Sequence, residues 1–361
     1  MTIQHYRASL LAVVLTTGLL TSAGAQAPIQ LGPPAAQPTR PAAKPAPKPA
    51  PGKSVPTQTI RPESAELAPA ATTARRDVDM AYGAYQRGYY ITAFAIATQR
   101  VNEQKDVRAM TLLAELYANG LGVDRDDKKA ADWYRLAAER GDREAMFALA
   151  MFHLGGRIGT VSREQGAKLL AAAAKLGQPA AAYDLGLLYL EGQLFPQDFS
   201  RAAELFRSAA QAGNPEAQYA LATLYKEGRG VPKDLAEAAR LLAASALADN
   251  TDAQVEYAIA LFNGVGVARN EPVAAELLKK AARKGSAIAQ NRLANVLAVG
   301  RGVPADPVAA VKWHIVAKAG GVGDIPLDGF MQKQTPEIRA AGEKAAKPWL
   351  DAIKEARESR S

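Results

Sequence analysis

A glycine recurs at a constant interval of 36 residues along most of this 361-residue chain. The six glycines that share this interval are Gly120, Gly156, Gly192, Gly228, Gly264 and Gly300. A fixed period of this size is typical of repeat proteins, whose units bury their apolar faces only against neighbouring units. The interval therefore predicts six stacked units, which occupy residues 107–142, 143–178, 179–214, 215–250, 251–286 and 287–322.

Each unit carries the pattern of two helices. In the first helix the third and eighth positions are small and the seventh is large and apolar, as in Ala145, Leu149 and Ala150 of the second unit. This spacing puts the three side chains on one helical face, and the small residues allow a neighbouring helix to approach closely. The pattern predicts a buried stripe along the first helix of every unit.

The second helix of each unit is delimited by residues that start and stop helices. Six positions after each loop glycine stands a side chain that can accept a hydrogen bond from a free helical amide. These predicted N-caps are Asp126, Ser162, Asp198, Asp234, Asn270 and Asp306. Glycine marks the end of the second helix in five units, and Asp249 takes its place in the fourth. The chain is thus predicted to be an all-α solenoid superhelix of helix-loop-helix units.

Composition supports helices and removes several classes of chemistry. Aromatic residues make up only 6% of the chain and alanine is abundant, which favours closely packed helices. Because no cysteine is present, disulfides, thiolate nucleophiles and zinc–thiolate sites are excluded. His5, His153 and His314 lie too far apart in sequence to form a metal-binding motif. We therefore predict neither a metal ion nor another cofactor.

The unit pattern resembles the Sel1-like repeat family, a relative of the tetratricopeptide repeats with a longer loop between its helices. The resemblance rests on the alanine-rich stripe, the Gly-x-Gly-Val loop that starts at Gly120, the acidic cap and the closing Ala-Ala-x-x-Gly. The loops that start at Gly156 and Gly192 depart from this pattern, and Lys318 replaces an alanine in the last unit. The resemblance implies an adaptor that serves envelope signalling, polysaccharide export or host contact, and it does not choose among these processes.

The first 74 residues have the composition of an export signal followed by a linker. An apolar stretch from Leu10 to Leu20 precedes Ala23-Gly24-Ala25, a small-x-small motif of the kind that signal peptidases cleave. About eleven apolar residues are too few to cross a bilayer. We predict a signal peptide over 1–25, cleaved near Ala25, and a periplasmic or secreted mature protein without a transmembrane span; a retained anchor is the alternative. Residues 26–74, rich in Pro, Ala and Lys, are predicted to be a disordered linker.

Two shorter segments flank the six repeats. Residues 75–106 carry the pattern of a helical pair without the long loop, and we interpret them as a degenerate first repeat. Residues 323–361 contain the helix start Thr335-Pro336-Glu337. We expect this region to cover the apolar face of the last unit, which would otherwise meet water.

The distribution of charge argues against a nucleic-acid partner. The formal net charge is +8, but residues 1–74 contain six Lys or Arg and only two acidic residues. The remainder has 38 Lys or Arg against 34 acidic residues, so the repeats are nearly balanced. We predict no nucleic-acid binding. The basic linker leaves open a contact with anionic envelope polymers, such as peptidoglycan or exported polysaccharide.

The first helices are predicted to line the concave side of the superhelix, where a protein or peptide partner would bind. Positions 5, 9 and 12 of these helices lie opposite the buried stripe and are often apolar. The candidate binding residues are Phe147, Met151, Leu154, Tyr183, Leu187, Leu190, Tyr219, Val255, Ile259 and Phe262. The alternative is that a neighbouring repeat covers these side chains in ordinary packing.

No motif for catalysis is found in the sequence. No serine has a lysine three positions later, and no Gly-x-Ser-x-Gly motif occurs. The carboxylates of Asp126 and Asp234 stand where helix caps are needed, which already explains them. We therefore predict a binding protein and not an enzyme; a hydrolase acting on cell-wall-type substrates is the rival interpretation.

Overall fold

The computed structural model describes residues 80–359, and this part of the chain is helical and contains no β-strand. The first helices of the six units are α2 (Val107–Asn119), α4 (Arg143–Leu154), α6 (Pro179–Glu191), α8 (Pro215–Glu227), α10 (Thr251–Asn263) and α12 (Ala287–Val299). The second helices are α3 (Asp127–Ala138), α5 (Arg163–Lys175), α7 (Phe199–Gln211), α9 (Leu235–Leu247), α11 (Glu271–Arg283) and α13 (Pro307–Ala319). The flanking helices are α1 (Tyr90–Gln104), α14 (Ile325–Gln332) and α15 (Pro336–Glu358), and a further helical segment spans 80–86.

The helices stack in chain order. Each of α2 to α13 packs against the helix that precedes it and the helix that follows it. The alanine positions of the predicted stripe, such as Ala145, Ala181 and Ala217, are fully buried. This arrangement confirms the all-α solenoid that the 36-residue period predicts. The predicted signal peptide (1–25) and linker (26–74) lie outside the described residues.

Side-chain caps start the helices at the predicted residues. The Asp126 carboxylate accepts a hydrogen bond from the Lys129 amide at 2.9 Å, and Asp198 accepts one from the Arg201 amide at 2.8 Å. Each cap of this kind contributes about 1 kcal/mol to stability. At the other end of the second helices, Asp249 adopts a left-handed φ of 72°, which glycine adopts at this position in the other units. The caps therefore fix where each helix begins and ends.

The two glycines of the Gly-x-Gly-Val loop have different roles. Gly264 ends α10 with a left-handed φ of 69°, the usual role of a glycine after a helix. Gly266 also has a positive φ, and a Cβ atom there would lie 1.9 Å from the carbonyl oxygen of Leu235 at the start of α9. The second glycine therefore lets the loop rest directly on the backbone of the preceding unit. The same close approach occurs at Gly122, Gly230 and Gly302.

An arginine beside the loop glycine also ties neighbouring units together. Arg301 donates hydrogen bonds to Glu271 at 2.8 Å and to the carbonyl oxygen of Phe262 at 2.9 Å. Both partners belong to the preceding unit. Four units earlier Arg157 makes the equivalent contacts, with Asp127 and with the carbonyl oxygen of Ala118. Arg157, followed by Arg125, holds the pKa of Asp127 well below its ordinary value.

The C-terminal helices cover the last repeat. Helix α15 begins at the cap Thr335 and packs against α13, where a Cβ atom at Gly342 would lie 2.5 Å from a methyl carbon of Val311. The rings of Trp313 and Trp349 meet edge to face, with their centroids 4.9 Å apart. The short helix α14 lies between α13 and α15 in the chain, and the sequence pattern does not indicate it. Across the described helices, no stretch is long and apolar enough to cross a membrane.

Substitution of Gly266 tests the contact between the loop and the preceding unit. An alanine in a left-handed conformation costs about 1–2 kcal/mol, and the overlap with the Leu235 carbonyl adds a cost on the order of 1–3 kcal/mol. We expect G266A to lower the free energy of unfolding, measured with urea, by about 2–5 kcal/mol. The matched control is G285A in the same unit, since Gly285 has a φ of 89° and no atom within 4 Å of its Cβ position. Equal losses in the two variants would contradict the contact.

Candidate functional site

The structure places eight of the ten predicted binding residues in the interior. Less than a tenth of the surface of each is exposed: Met151, Leu154, Tyr183, Leu187, Leu190, Val255, Ile259 and Phe262. Only Phe147 and Tyr219 remain half-buried. These eight side chains are therefore covered, as the alternative of ordinary packing predicts, and they do not form an exposed apolar wall.

Contacts within a unit and between neighbouring units bury these side chains. Within the third unit, Tyr183 packs on Phe206 with ring centroids 5.6 Å apart, and Gly186 allows this approach because a Cβ there would lie 2.6 Å from the Phe206 ring. Leu187 and Leu190 belong to one apolar cluster with residues of the following unit. Positions 5, 9 and 12 thus serve to stack the repeats.

The open face of the first helices is polar instead of apolar. Position 2 of these helices is half-buried or exposed in every unit, and positions 5, 6, 9 and 12 are half-buried or exposed only in some units. We call this surface the inner wall. Its members are Arg108, Thr111, Glu115, Glu144, Phe147, Glu216, Tyr219, Thr223, Lys226, Asp252, Glu256, Arg292 and Asn295.

A cluster of acidic groups lies on the inner wall of units four and five. Although the Asp252 side chain still reaches solvent, enclosure by the wall raises the pKa of its carboxyl, and the nearby Glu256 raises it further. The Lys226 ammonium lies 2.9 Å from a Glu256 carboxylate oxygen. No Lys or Arg of the described residues lies within ion-pair distance of Asp252. The cluster therefore keeps a negative charge that the protein does not neutralise.

Tyr219 adds a hydroxyl group to this cluster. Burial raises the pKa of Tyr219 above its ordinary value, and the charges of Glu256 and Asp252 add to the rise. The tyrosine therefore stays neutral and can donate a hydrogen bond from the wall. A neutral phenol beside two carboxylates suits a ligand that combines cationic groups with hydrogen-bond acceptors.

The acidic cluster continues towards the C-terminal end of the wall as a hydrogen-bonded network. Burial lowers the pKa of Arg292, while attraction to Asp324 and Glu256 opposes that shift. Asn291 and Asn295 donate to a single oxygen of Asp324 at 3.1 and 3.0 Å. Burial alone would raise the pKa of Asp324, but the hydrogen bonds from Asn295, the Leu327 amide and Asn291 lower it. This end of the wall is internally satisfied.

A cavity of about 810 Å³ lies at the N-terminal end of the inner wall, between residues 80–86, α2 and the turn that precedes α4. The Tyr85 hydroxyl donates a hydrogen bond to Glu115 at 2.7 Å. Burial and this hydrogen bond raise the pKa of Tyr85. Arg100 is 5% exposed and pairs with Asp106, which caps α2. The cavity therefore mixes a buried cation with carboxylates and a tyrosine.

The described residues show no arrangement of groups typical of a catalytic centre. Within residues 80–359, no three His, Asp or Glu side chains converge as metal ligands would. The buried His314 has its Nε2 atom 2.8 Å from Asp328, and Lys318 contacts the same carboxylate oxygen at 2.8 Å. This contact joins α13 to α14, which is a structural role.

Sequence reasoning missed the acidic residues because it searched positions 5, 9 and 12 for apolar side chains. Asp252 and Glu256 are four residues apart, and this spacing puts them on one face of α10. That signal was present in the sequence. What could not be read was which positions a neighbouring unit covers.

Six consecutive segments of the chain match the family model described as Sel1 repeat, at residues 107–142, 143–178, 179–214, 215–250, 251–286 and 287–322. A Sel1 repeat protein from Oxalobacter formigenes superimposes with a TM-score of 0.58 and 25% identity, covering 67% of this chain and 96% of that one. The protein c5321, a protective antigen present in uropathogenic Escherichia coli strains and displaying an SLR fold, superimposes with a TM-score of 0.52 and 26% identity. That match covers 79% of this chain and 70% of c5321. No curated protein matches the chain.

The raised pKa of Asp252 makes stability depend on pH. The folded state holds the Asp252 proton more tightly than the unfolded state, so stability falls as pH rises above the ordinary aspartate pKa of about 4. We expect D252N to melt at a higher temperature than the parent at pH 7, and the gap to close below about pH 4. Thermal unfolding followed by circular dichroism at both pH values measures this. The control is E216Q, at the same position one unit earlier; an equal gain in E216Q would contradict the assignment.

Proposed function

This chain belongs to the Sel1 repeat family, and from that premise we propose that it is an exported adaptor that binds a protein partner along the inner wall. Repeats of this family generally mediate protein–protein interaction and act as non-catalytic scaffolds. One observation carries the proposal: the Asp252 carboxylate lies beside Glu256 on the inner wall, and no Lys or Arg of the described residues lies within ion-pair distance of it. A partner that supplies a positive charge would pair with this carboxylate and offset the free-energy cost of keeping it charged there.

The chemistry of the inner wall indicates a basic peptide segment as the partner. Desolvated carboxylates pair strongly with Lys or Arg, since charge-assisted hydrogen bonds are about twice as strong as neutral ones. Glu115 and Glu144, which lie four and three units before Asp252 and Glu256, extend the acidic character towards the N-terminal cavity. A chain of carboxylates along one wall favours an extended or helical segment with spaced cations. Phe147 and Tyr219 supply apolar contacts between these charges.

Export is supported by the sequence of the first 25 residues, which have the pattern of a cleavable signal peptide. The absence of cysteine is compatible with an oxidising compartment, because no thiol is available to form unwanted disulfides. c5321 is a protective antigen, which fits a protein that meets the host. We propose a periplasmic or secreted location on these grounds.

The basic linker supports a second candidate function, which is adhesion to an anionic envelope polymer. Residues 26–74 contain the cations Arg40, Lys44, Lys48, Lys53 and Arg61 and two acidic residues. Removal of residues 26–70 distinguishes the two functions. Retention on peptidoglycan or polysaccharide would be lost with the linker, whereas partner binding by the inner wall would survive.

A photo-crosslinking amino acid at Thr223 tests the inner wall. Thr223 is half-buried on the inner wall, where its hydroxyl donates a hydrogen bond to the Tyr219 carbonyl oxygen at 3.1 Å, so a partner bound there would be captured in cells of the source organism. We expect a discrete adduct from this position, reduced at least tenfold by D252K because a like charge repels the partner's cation. The control probe replaces Asp132, which is exposed on α3, and the control charge reversal is D132K. An adduct of equal yield from position 132, or one that D252K leaves unchanged, would contradict the proposal.

The site of signal cleavage is a separate prediction. The mature protein from the envelope or the medium is expected to begin at Gln26, as measured by intact-mass spectrometry. A25F should leave the longer precursor, because the cleavage motif requires a small residue at that position. A27F, which lies beyond the cleavage site, should be processed normally. A protein that keeps Met1 and remains in the cytoplasm would overturn the assignment.

A further inference from the structure

A second cavity, of about 500 Å³, lies between the second helices α11 and α13 at the C-terminal end of the solenoid. Leu293 and Leu297 of α12 line its apolar part, and Trp313 and Trp349 line it from α13 and α15. Cavities of about 300–1,000 Å³ with apolar walls and a few polar groups are typical of small-ligand sites. This cavity is separate from the inner wall, because it lies between second helices.

Two of the three cations that line this cavity have no carboxylate partner. Lys280, on the last turn of α11, and Lys284, which follows that helix, lie 2.7 and 2.5 Å from Asp249 and do not line the cavity. Lys279, which does line it, lies 2.7 Å from Glu276. Arg283, also on α11, lines the cavity, and no described carboxylate lies within ion-pair distance of its guanidinium. Arg283 is therefore set apart from its three neighbours by the absence of a partner.

Lys312 on α13 lines the same cavity. Its ammonium lies 4.2 Å from the centre of the Trp313 ring and 5.2 Å from that of Trp349. Burial lowers the pKa of Lys312, and repulsion from Arg283 lowers it further. Contact with the indole rings stabilises the ammonium but leaves its charge in place. Two cations thus repel each other across a partly apolar cavity.

The equivalent groove three units earlier does not place a cation over its aromatic rings. That groove, of about 740 Å³, lies between α5 and α7, and Tyr189 and Phe195 stack there with centroids 4.9 Å apart. Glu164, Lys168, Lys175 and Arg201 line it, and no Lys or Arg of the described residues lies over either ring. In the last unit the acidic residue at the rim is Asp306, which is engaged in capping α13 at 2.9 Å. The cation held against two aromatic rings therefore belongs to the last unit and not to the repeat pattern.

We propose that the cavity between α11 and α13 binds a ligand that carries a carboxylate or phosphate group on an apolar or ring-shaped body. The anionic group lies between Lys312 and Arg283, where it neutralises both cations. The body of the ligand contacts Leu297 and the exposed edge of Trp349.

Calorimetric titration of the full chain with small probes tests the site. We expect phenyl phosphate or benzoate to bind at least tenfold more tightly than phenol, which lacks the charge, and than inorganic phosphate, which lacks the ring. Tighter binding of phenyl phosphate than of benzoate indicates a phosphate ligand. Tighter binding of benzoate indicates a carboxylate ligand. K312M and R283Q should each weaken the binding of the preferred anion at least tenfold.

The control variant is K344M, which removes one positive charge from the exposed surface of α15 and should leave the affinity unchanged. Two separate variants are used because Lys312 is half-buried, whereas Arg283 is exposed and R283Q leaves the packing intact. Thermal unfolding checks that both variants are folded. Absence of binding by both anions, equal binding of phenol, or an equal loss in K344M would overturn the proposal.

Discussion

The stacking of a glycine loop on the backbone of the preceding unit is the contact on which the rest of this structure depends. At Gly266 there is no room for even one additional carbon atom, because the Leu235 carbonyl occupies the place of a side chain. Backbone contact of this kind permits little variation in the distance between units. The same constraint at Gly230 and Gly302 gives those hairpins the same relation to the unit before them, whereas the second and third units carry Ile158 and Leu194 at this position. A regular superhelix follows from a repeated local contact.

The burial of the apolar positions decides what the inner wall can do. Since Tyr183, Leu187 and Phe262 are used to join units, the open face of each first helix retains its polar positions. Enclosure then gives those polar groups unusual properties: Asp252 is harder to ionise and Tyr219 stays neutral. A wall of this kind gains more from a charged partner than from an apolar one. The same packing that stabilises the solenoid therefore also sets the chemistry of its binding surface.

Much of the fold could be predicted because its signals are local and repeated. The caps Asp126 and Asp198 and the loop glycine Gly264 act within a few residues of their own positions. The covering of positions 5, 9 and 12 could not be read in the same way, since covered and open helix faces have the same period in sequence. The contact between Trp313 and Trp349 was equally hidden, because it depends on where α15 folds back and has no counterpart in the repeat. The cavity beside that contact, with its unpaired Arg283, is therefore visible only in three dimensions.

These contacts hold the repeats in a single curved arrangement, and distance measurements between spin labels test this most directly. The natural chain has no cysteine, so cysteines introduced at the exposed Asn119 and half-buried Asn263 carry labels at two defined places, one in the first unit and one in the fifth. Double electron–electron resonance on the frozen protein is expected to give one narrow distance distribution that agrees with the separation in the structure. A broad or two-peaked distribution would show that the units do not hold a common register, and would contradict the account.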